Sequence, residues 1–275
     1  MNRAERILIL CKTYPSPSAR YAETSCVAGV TESGNLLRLY PVPFRLIGDE
    51  HQFRKWQWVD ARVSRSADDR RAESHRIYVD TIRLGDIIST ANDWQQRWLW
   101  LDKLPLFDDF DTLEAVRKEK GGPTLALLRP RSLLALDISA AGSPEWTEEE
   151  KAKLLQMQQQ GNLFQETDHD FRLLRKLPFD FHYRYECASS VGLKTYRHKI
   201  VDWEIGALFW NVRRKHGNDW EAPFRAKIEN YLPAQELLFL MGTIHRFPDQ
   251  WLIVSLIYPP KRPLDAPNQE SRFPP

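Results

Sequence analysis

Ile7-Leu8-Ile9-Leu10-Cys11-Lys12-Thr13-Tyr14, then Thr24-Ser25-Cys26-Val27-Ala28-Gly29-Val30, a Glu32-Ser33-Gly34-Asn35 turn and Leu36-Leu37-Arg38-Leu39-Tyr40: this opening reads as three successive strands with almost no helical signal. Neighbouring strand residues point to opposite sides. Leu37 and Leu39 therefore share one face, and Leu36, Arg38 and Tyr40 share the other, which predicts a curved sheet with a polar, aromatic side. Further on, Trp58-Val59-Asp60-Ala61-Arg62-Val63 mixes apolar and charged residues like an edge strand, and His75 to Ile82 supplies a further strand. Five short strands within residues 1–90 fit a small closed or nearly closed barrel.

The remaining sequence changes character twice. In residues 91–122 the period becomes helical, with Asp93 placed to cap a helix that carries Trp94, Trp98 and Leu101 on one stripe. That stripe reads as an anchor between modules. A second helical run, Thr112 to Lys120, stops at Gly121-Gly122-Pro123. Residues 123–260 read as a second unit of mixed sheet and helix, with a second barrel as the alternative. Within it Thr147 and Glu150 form a capping box. Phe179 to Cys187 gives the cleanest alternation in the chain: Phe179, Phe181, Tyr183, Tyr185 and Cys187 against Asp180, His182, Arg184 and Glu186. The runs Glu236–His245 and Trp251–Tyr258 are apolar on both faces and are expected centrally in a sheet with helices over one side. Residues 156–170 read as a polar loop and 261–275 as a proline-rich tail. The expected fold class is α+β: a β-rich N-terminal barrel joined to a mixed β-sheet module with helices.

Composition narrows the function. The chain of 275 residues carries 39 basic and 37 acidic residues, so its net charge of +2 generates no global field toward nucleic acid. Any such affinity has to come from a local groove; both ends are mildly basic and the middle is acidic. Three cysteines without a CxxC pair suit a reducing cytoplasm. No apolar run approaches the roughly 20 residues of a membrane span. P-loop, dinucleotide-fold, GxSxG and HExxH motifs are all missing from the sequence. No cofactor is expected.

The segment from Arg6-Ile7-Leu8-Ile9-Leu10 through Cys26-Val27-Ala28-Gly29-Val30 to Leu37-Arg38-Leu39-Tyr40-Pro41-Val42 resembles the opening of the dual OB-fold proteins of bacterial conflict and antiviral gene clusters. The resemblance covers about residues 6–43 and is architectural beyond them. It implies an OB-like N-terminal barrel and nucleic-acid or nucleotide binding without catalysis, with Arg38 and Cys26 as the positions carried over. The helices after Trp203 are larger than a plain barrel requires.

On that reading, Lys12, Tyr14, Arg20 and Tyr21 form a basic and aromatic cluster in the first loop, and Arg38, Tyr40 and Arg45 extend it into a groove for single-stranded nucleic acid. Rings would stack on bases while cations follow phosphates. His182, Arg184, Arg197 and Lys199 are the corresponding set on the second unit. The bland alternative is a solvated loop with two surface tyrosines. An enzymatic alternative is a metal-dependent nuclease in which Asp202 and Glu204, with His198 and Lys199 upstream, hold a divalent ion. Asp202 placed simply as a helix N-cap is the stronger reading of the same residues. The leading reading makes the protein a nucleic-acid- or nucleotide-binding accessory component of a larger, defence-related complex with a protein partner; a third alternative is a pure interaction scaffold whose aromatic surfaces serve a protein partner.

Overall fold

In the computed structural model, which describes residues 2–18, 22–45, 47–152 and 175–262, strand β1 (Asn2–Lys12) sends alternate side chains into two different cores. Ile7 and Ile9 enter one cluster with Val27, Leu37, Leu39, Val59 and Val63, whereas Leu8 and Leu10 enter another with Leu125, Leu127, Leu238 and Leu240. The first cluster is the inside of a barrel. Around it run β1, β3 (Ala22–Thr31), β4 (Leu36–Val42), β6 (Ser74–Ile87) and β5 (Gln57–Arg65), which closes back onto β1. All contacts are antiparallel except β4 with β6. Numbered by these five strands, the order is 1-2-3-5-4-1 with 3 and 5 parallel, the connectivity of a five-stranded OB-like barrel. A short β2 (Ser16–Ser18) extends β3. β5 pairs on both sides and is not the edge strand that its charges suggest.

Closure requires β1 and β3 to approach tightly at a bulge, and Gly29 sits there. A Cβ on Gly29 would lie 2.5 Å from Ile7 Cγ2 and 2.6 Å from the Leu8 carbonyl oxygen. Because the second clash is with backbone, it cannot be relieved by a rotamer change. Gly29→Ala is expected to lower stability by about 3 kcal/mol, read as a lowered urea midpoint with an unchanged slope.

The second sheet contains β7 (Leu106–Phe107), β8 (Leu125–Leu128), β9 (Ser132–Ala140), β10 (Phe179–Ser189), β11 (Gly192–Ile200), β12 (Leu238–Thr243) and β13 (Trp251–Ile257). Its order is β7-β8-β12-β13-β11-β10-β9. β8 and β9 are separated only by Arg129-Pro130-Arg131; β8 pairs with β12 and β9 with β10. Taken as one interrupted first strand, they close a second ring whose order is again 1-2-3-5-4-1, with β11 and β13 as the parallel pair. A helix, α3 (Trp203–His216), lies between the third and fourth strands of this ring. It contributes Ile205 and Phe209 to an interior built from Phe181, Tyr183, Tyr185 and Cys187. The alternation read from residues 179–187 is thus the inside and outside of a barrel.

The apolar runs of β8, β12 and β13 have a different explanation from a helix-covered sheet. Their even and odd residues serve separate clusters: Ala126, Leu128, Phe239, Met241 and Ile253 face the second interior, and Leu125, Leu127, Leu238, Leu240 and Val254 face the first barrel. The seam between the barrels is a core in its own right. Trp98 and Leu101 of α1 (Ala91–Leu101) pack into it, while Trp58 and Trp100 meet edge to face at 4.8 Å. Asp93 does not cap α1: Asn92, Asp93 and Trp94 all have positive φ, so the first turn is left-handed. The next helix, α2 (Phe110–Lys118), is capped by Asp109, which accepts from the amides of Asp111 and Thr112. The Thr147 capping box does form, with the Thr147 amide donating to Glu150 at 2.9 Å and the Glu150 amide to Thr147 Oγ1 at 3.2 Å. The polar loop expected at 156–170, and all but the first residues of the expected tail, lie outside the described residues.

Candidate nucleic-acid interface

In an OB-like barrel the outer face of the second and third strands is a common ligand surface. In the first barrel most of that face, from Ala28 and Val30 to Leu36 and Arg38, is consumed by the seam. Arg38 is 3% exposed, and its Nη2 donates to the Thr124 carbonyl at 2.9 Å, while Glu73 accepts from the Thr124 and Leu125 amides. Lys12 does not face solvent freely either. Its ammonium sits 3.6 Å from the Phe44 ring centroid and 5.1 Å from that of Trp203, and it donates to the Phe53 carbonyl. Burial pulls its pKa down to about 8. Tyr14 donates to the Arg175 carbonyl at 2.7 Å and accepts from Trp210 Nε1 at 2.9 Å. Tyr40 is exposed and Arg45 half-buried; Arg20 and Tyr21 lie outside the described residues. Lys12, Tyr14 and Arg38 are therefore structural ties, and the structure does not assemble them into one open groove.

The second barrel presents the corresponding face to solvent. Antiparallel pairing sets His182 opposite Lys199 and Arg184 opposite Arg197, and directly opposite residues share a face. Both arginine side chains are about half exposed, and both donate to Asp137 on β9, at 3.2 Å from Arg184 and 2.9 Å from Arg197. Lys199 pairs with Asp180 at 2.7 Å. Hydrogen bonding to Arg197, followed by the charge of Arg184, holds the Asp137 carboxyl below its ordinary range. His182 lies within this cationic row; burial and then the Arg197 charge lower its pKa, which keeps the ring neutral near pH 7. Among the described residues, its Nδ1 has no hydrogen-bond partner. The chemistry of the face is two adjacent guanidinium forks held in register by one carboxylate, flanked by an imidazole and an ammonium. Sequence alternation supplied His182 and Arg184; Arg197 and Lys199 join them because residues expected as a loop form β11, and Asp137 because β9 pairs with β10.

The residues of the nuclease alternative do not converge. Asp202 is 3% exposed and accepts from the Glu204 amide at 2.7 Å, the Leu256 amide at 2.8 Å and the Ser255 hydroxyl at 2.9 Å. It is the N-cap of α3. Glu204 accepts from Lys55 at 3.1 Å. His198 points instead into the second barrel, 2.8 Å from the Tyr185 hydroxyl and tilted against the Phe110 ring at 4.7 Å, while Lys199 points out. Among the described residues, no three His, Cys, Asp or Glu side chains are gathered where they could hold a metal ion. No helix among them is long and apolar enough to cross a membrane.

The buried His198 gives a pH prediction. Burial, then the His182 charge, pushes its pKa from the ordinary 6.5 down to about 4. Between these values the unfolded chain binds a proton that the folded chain does not. Stability is therefore full above pH 6.5 and declines as the pH falls toward 4, by a total of about 3 kcal/mol. Urea midpoints measured from pH 7.5 to 4 should fall in this window, and His198→Gln should flatten that part of the profile.

The seam, the two rings and the open face can be set beside known proteins. No curated protein sequence matches the chain. A structural likeness exists to a chain in the solved "Structure and Conformational Change of a Replication Protein A Heterotrimer Bound to ssDNA", at 10% identity and a TM-score of 0.24. That match covers 94% of this chain and 66% of the other, so this chain spans just under two thirds of its length. A family model described as Domain of unknown function (DUF8758) matches residues 3–103, which hold the first barrel and α1. A second, described as Domain of unknown function (DUF8757), matches residues 107–275 and begins at the second ring's first elements. Since that second match takes in more than half of the sequence, the chain belongs to the DUF8757 family.

Proposed function

We propose that this protein binds single-stranded nucleic acid across the outer face of β10 and β11. The observation that carries the reading is the pair of facing arginines, Arg184 and Arg197, on the second and third strands of a ring with OB-type order, while most of the equivalent face of the first barrel is buried. Guanidinium forks suit phosphate oxygens in planar, two-point contacts. Three cations, Arg184, Arg197 and Lys199, stand against two carboxylates, Asp137 and Asp180. Phosphates would exchange for those carboxylates, and the bound state gains its charge neutralisation locally. The binding is thus expected to be modest and strongly weakened by salt.

The test is fluorescence anisotropy of labelled single-stranded and duplex DNA and RNA over a salt series. Salt-sensitive binding that favours single strands is expected. Absence of binding at low salt overturns the proposal. An accessory role in a prokaryotic defence system, alongside a protein partner, belongs to the same proposal and draws on the resemblance of residues 6–43 alone.

A further inference from the structure

A cleft of about 410 Å³ opens at the end of the seam, where Trp56 and Trp94 of the first unit meet Tyr231 and Tyr258 of the second. It shares no residue with the β10–β11 face. A volume of this size between two modules is typical of small-molecule sites, which combine apolar walls with a few polar groups that fix orientation. Here the walls are aromatic. Trp94 is held edge to face against Trp56 at 5.6 Å and lies 6.2 Å from Tyr258. Its left-handed backbone, with φ of 66°, projects it from the first turn of α1.

The two cations that line the cleft are already engaged by the protein. Arg97 gives Nε and Nη2 to the Ile88 carbonyl and lies over both tryptophans. Lys55, almost buried, donates to Glu204 Oε2 and to the Leu256 carbonyl. Among the described residues of the cleft, Arg97 is buried and Lys55 is nearly so, and neither is free to seat a phosphate. What remains unengaged among the described residues is hydrogen-bonding capacity: Glu204 Oε1, the Gln235 amide and the hydroxyls of Tyr231 and Tyr258 have no protein partner. A flat, uncharged molecule with N–H donors on one edge fits both the rings and the open acceptor.

We propose that this cleft binds a nucleobase, with its plane against the aromatic walls and its N–H donor edge on Glu204. Guanine matches best, because its adjacent ring N–H and exocyclic amine can donate side by side, one to the open Oε1 and the other to the second lone pair of Oε2 beside Lys55, whereas adenine offers an acceptor beside its amine. The inference rests on the cleft alone and does not require the strand face to bind nucleic acid.

Isothermal titration of the full chain with guanosine, adenosine, cytidine and uridine tests it, with saturation-transfer NMR as a second readout. Guanosine is expected to bind saturably and at least tenfold more tightly than the others. Glu204→Gln should weaken it at least tenfold. Tyr231→Ala, at a half-exposed position, should weaken it severalfold and keeps the test decisive should loss of the Lys55 partner unfold the first variant. The double variant R184A/R197A should bind guanosine unchanged, which separates this site from the strand face. Failure of all four nucleosides to bind, or guanosine binding indifferent to both cleft variants, overturns the proposal.

Discussion

Replacing Arg184 and Arg197 together with alanine is expected to lower the affinity for a single-stranded oligonucleotide by roughly ten- to a hundredfold at low salt. Each guanidinium contact to phosphate is worth about 0.7 to 1.4 kcal/mol net of its exchange with Asp137, so the pair is worth about 1.4 to 2.8 kcal/mol, and about 1.4 kcal/mol is a factor of ten. The salt dependence should flatten as well, by about 0.7 in the log–log slope for each phosphate of a single strand that the variant no longer neutralises. Both side chains are about half exposed and emerge from the middle of paired strands, so their removal leaves the barrel interior untouched and melting should change little. Asp137→Asn separates charge from positioning. It removes the carboxylate that both arginines now satisfy, and with it a repulsion toward phosphate. Binding should tighten about threefold at low salt, an effect of removing like charge at an interface. An R184A/R197A protein that binds as well as the parent at every salt concentration removes this face from consideration.

The part of this face legible in sequence was the alternation from Phe179 to Cys187, because one side of β10 is barrel interior and the other is solvent. The same rule fails where both sides are buried. β1, β8, β12 and β13 read as featureless apolar runs because one barrel fills one side and the other barrel fills the opposite side. Arg38 shows the cost of that ambiguity: it alternates with Leu37 and Leu39 like a surface cation, yet its partner Thr124 is 86 residues away and belongs to the second unit. The second ring was legible only as an alternative for a local reason, since Pro130 interrupts its first strand and splits the pairing between β8 and β9. Asp93 was misleading in another way, because an acidic residue before an apolar helical stripe fits an N-cap, and only the backbone reveals the left-handed turn. The cleft was illegible because Lys55, Trp94, Glu204 and Tyr258 come from four separated segments that converge only after the barrels dock.

Asp202 is the residue for which structure and catalysis predict opposite outcomes. It is buried between the barrels, and its two oxygens receive three donors: the Glu204 amide on one, and the Ser255 hydroxyl and Leu256 amide on the other. Lys55 lies 3.9 Å away with its side chain 11% exposed. Burial raises the Asp202 pKa, and the Lys55 charge opposes that rise. Removing the carboxylate deprives buried donors of their acceptor and leaves an ammonium with Glu204 as its remaining carboxylate partner. Breaking one side of a buried ionic network costs about 3–5 kcal/mol, which is a large part of the roughly 5–15 kcal/mol that holds a domain together. Asp202→Ala should therefore express poorly or melt far below the parent. Asp202→Asn can still cap α3, but its amide nitrogen turns a donor toward Ser255 and Leu256, and a loss of about 2 kcal/mol is expected. Urea denaturation of both variants decides the matter. An Asp202→Asn protein as stable as the parent that has lost a metal-dependent cleavage activity would make this carboxylate catalytic, whereas a destabilised protein that retains oligonucleotide binding on β10 and β11 makes it the structural pin that joins α3, β13 and the first barrel.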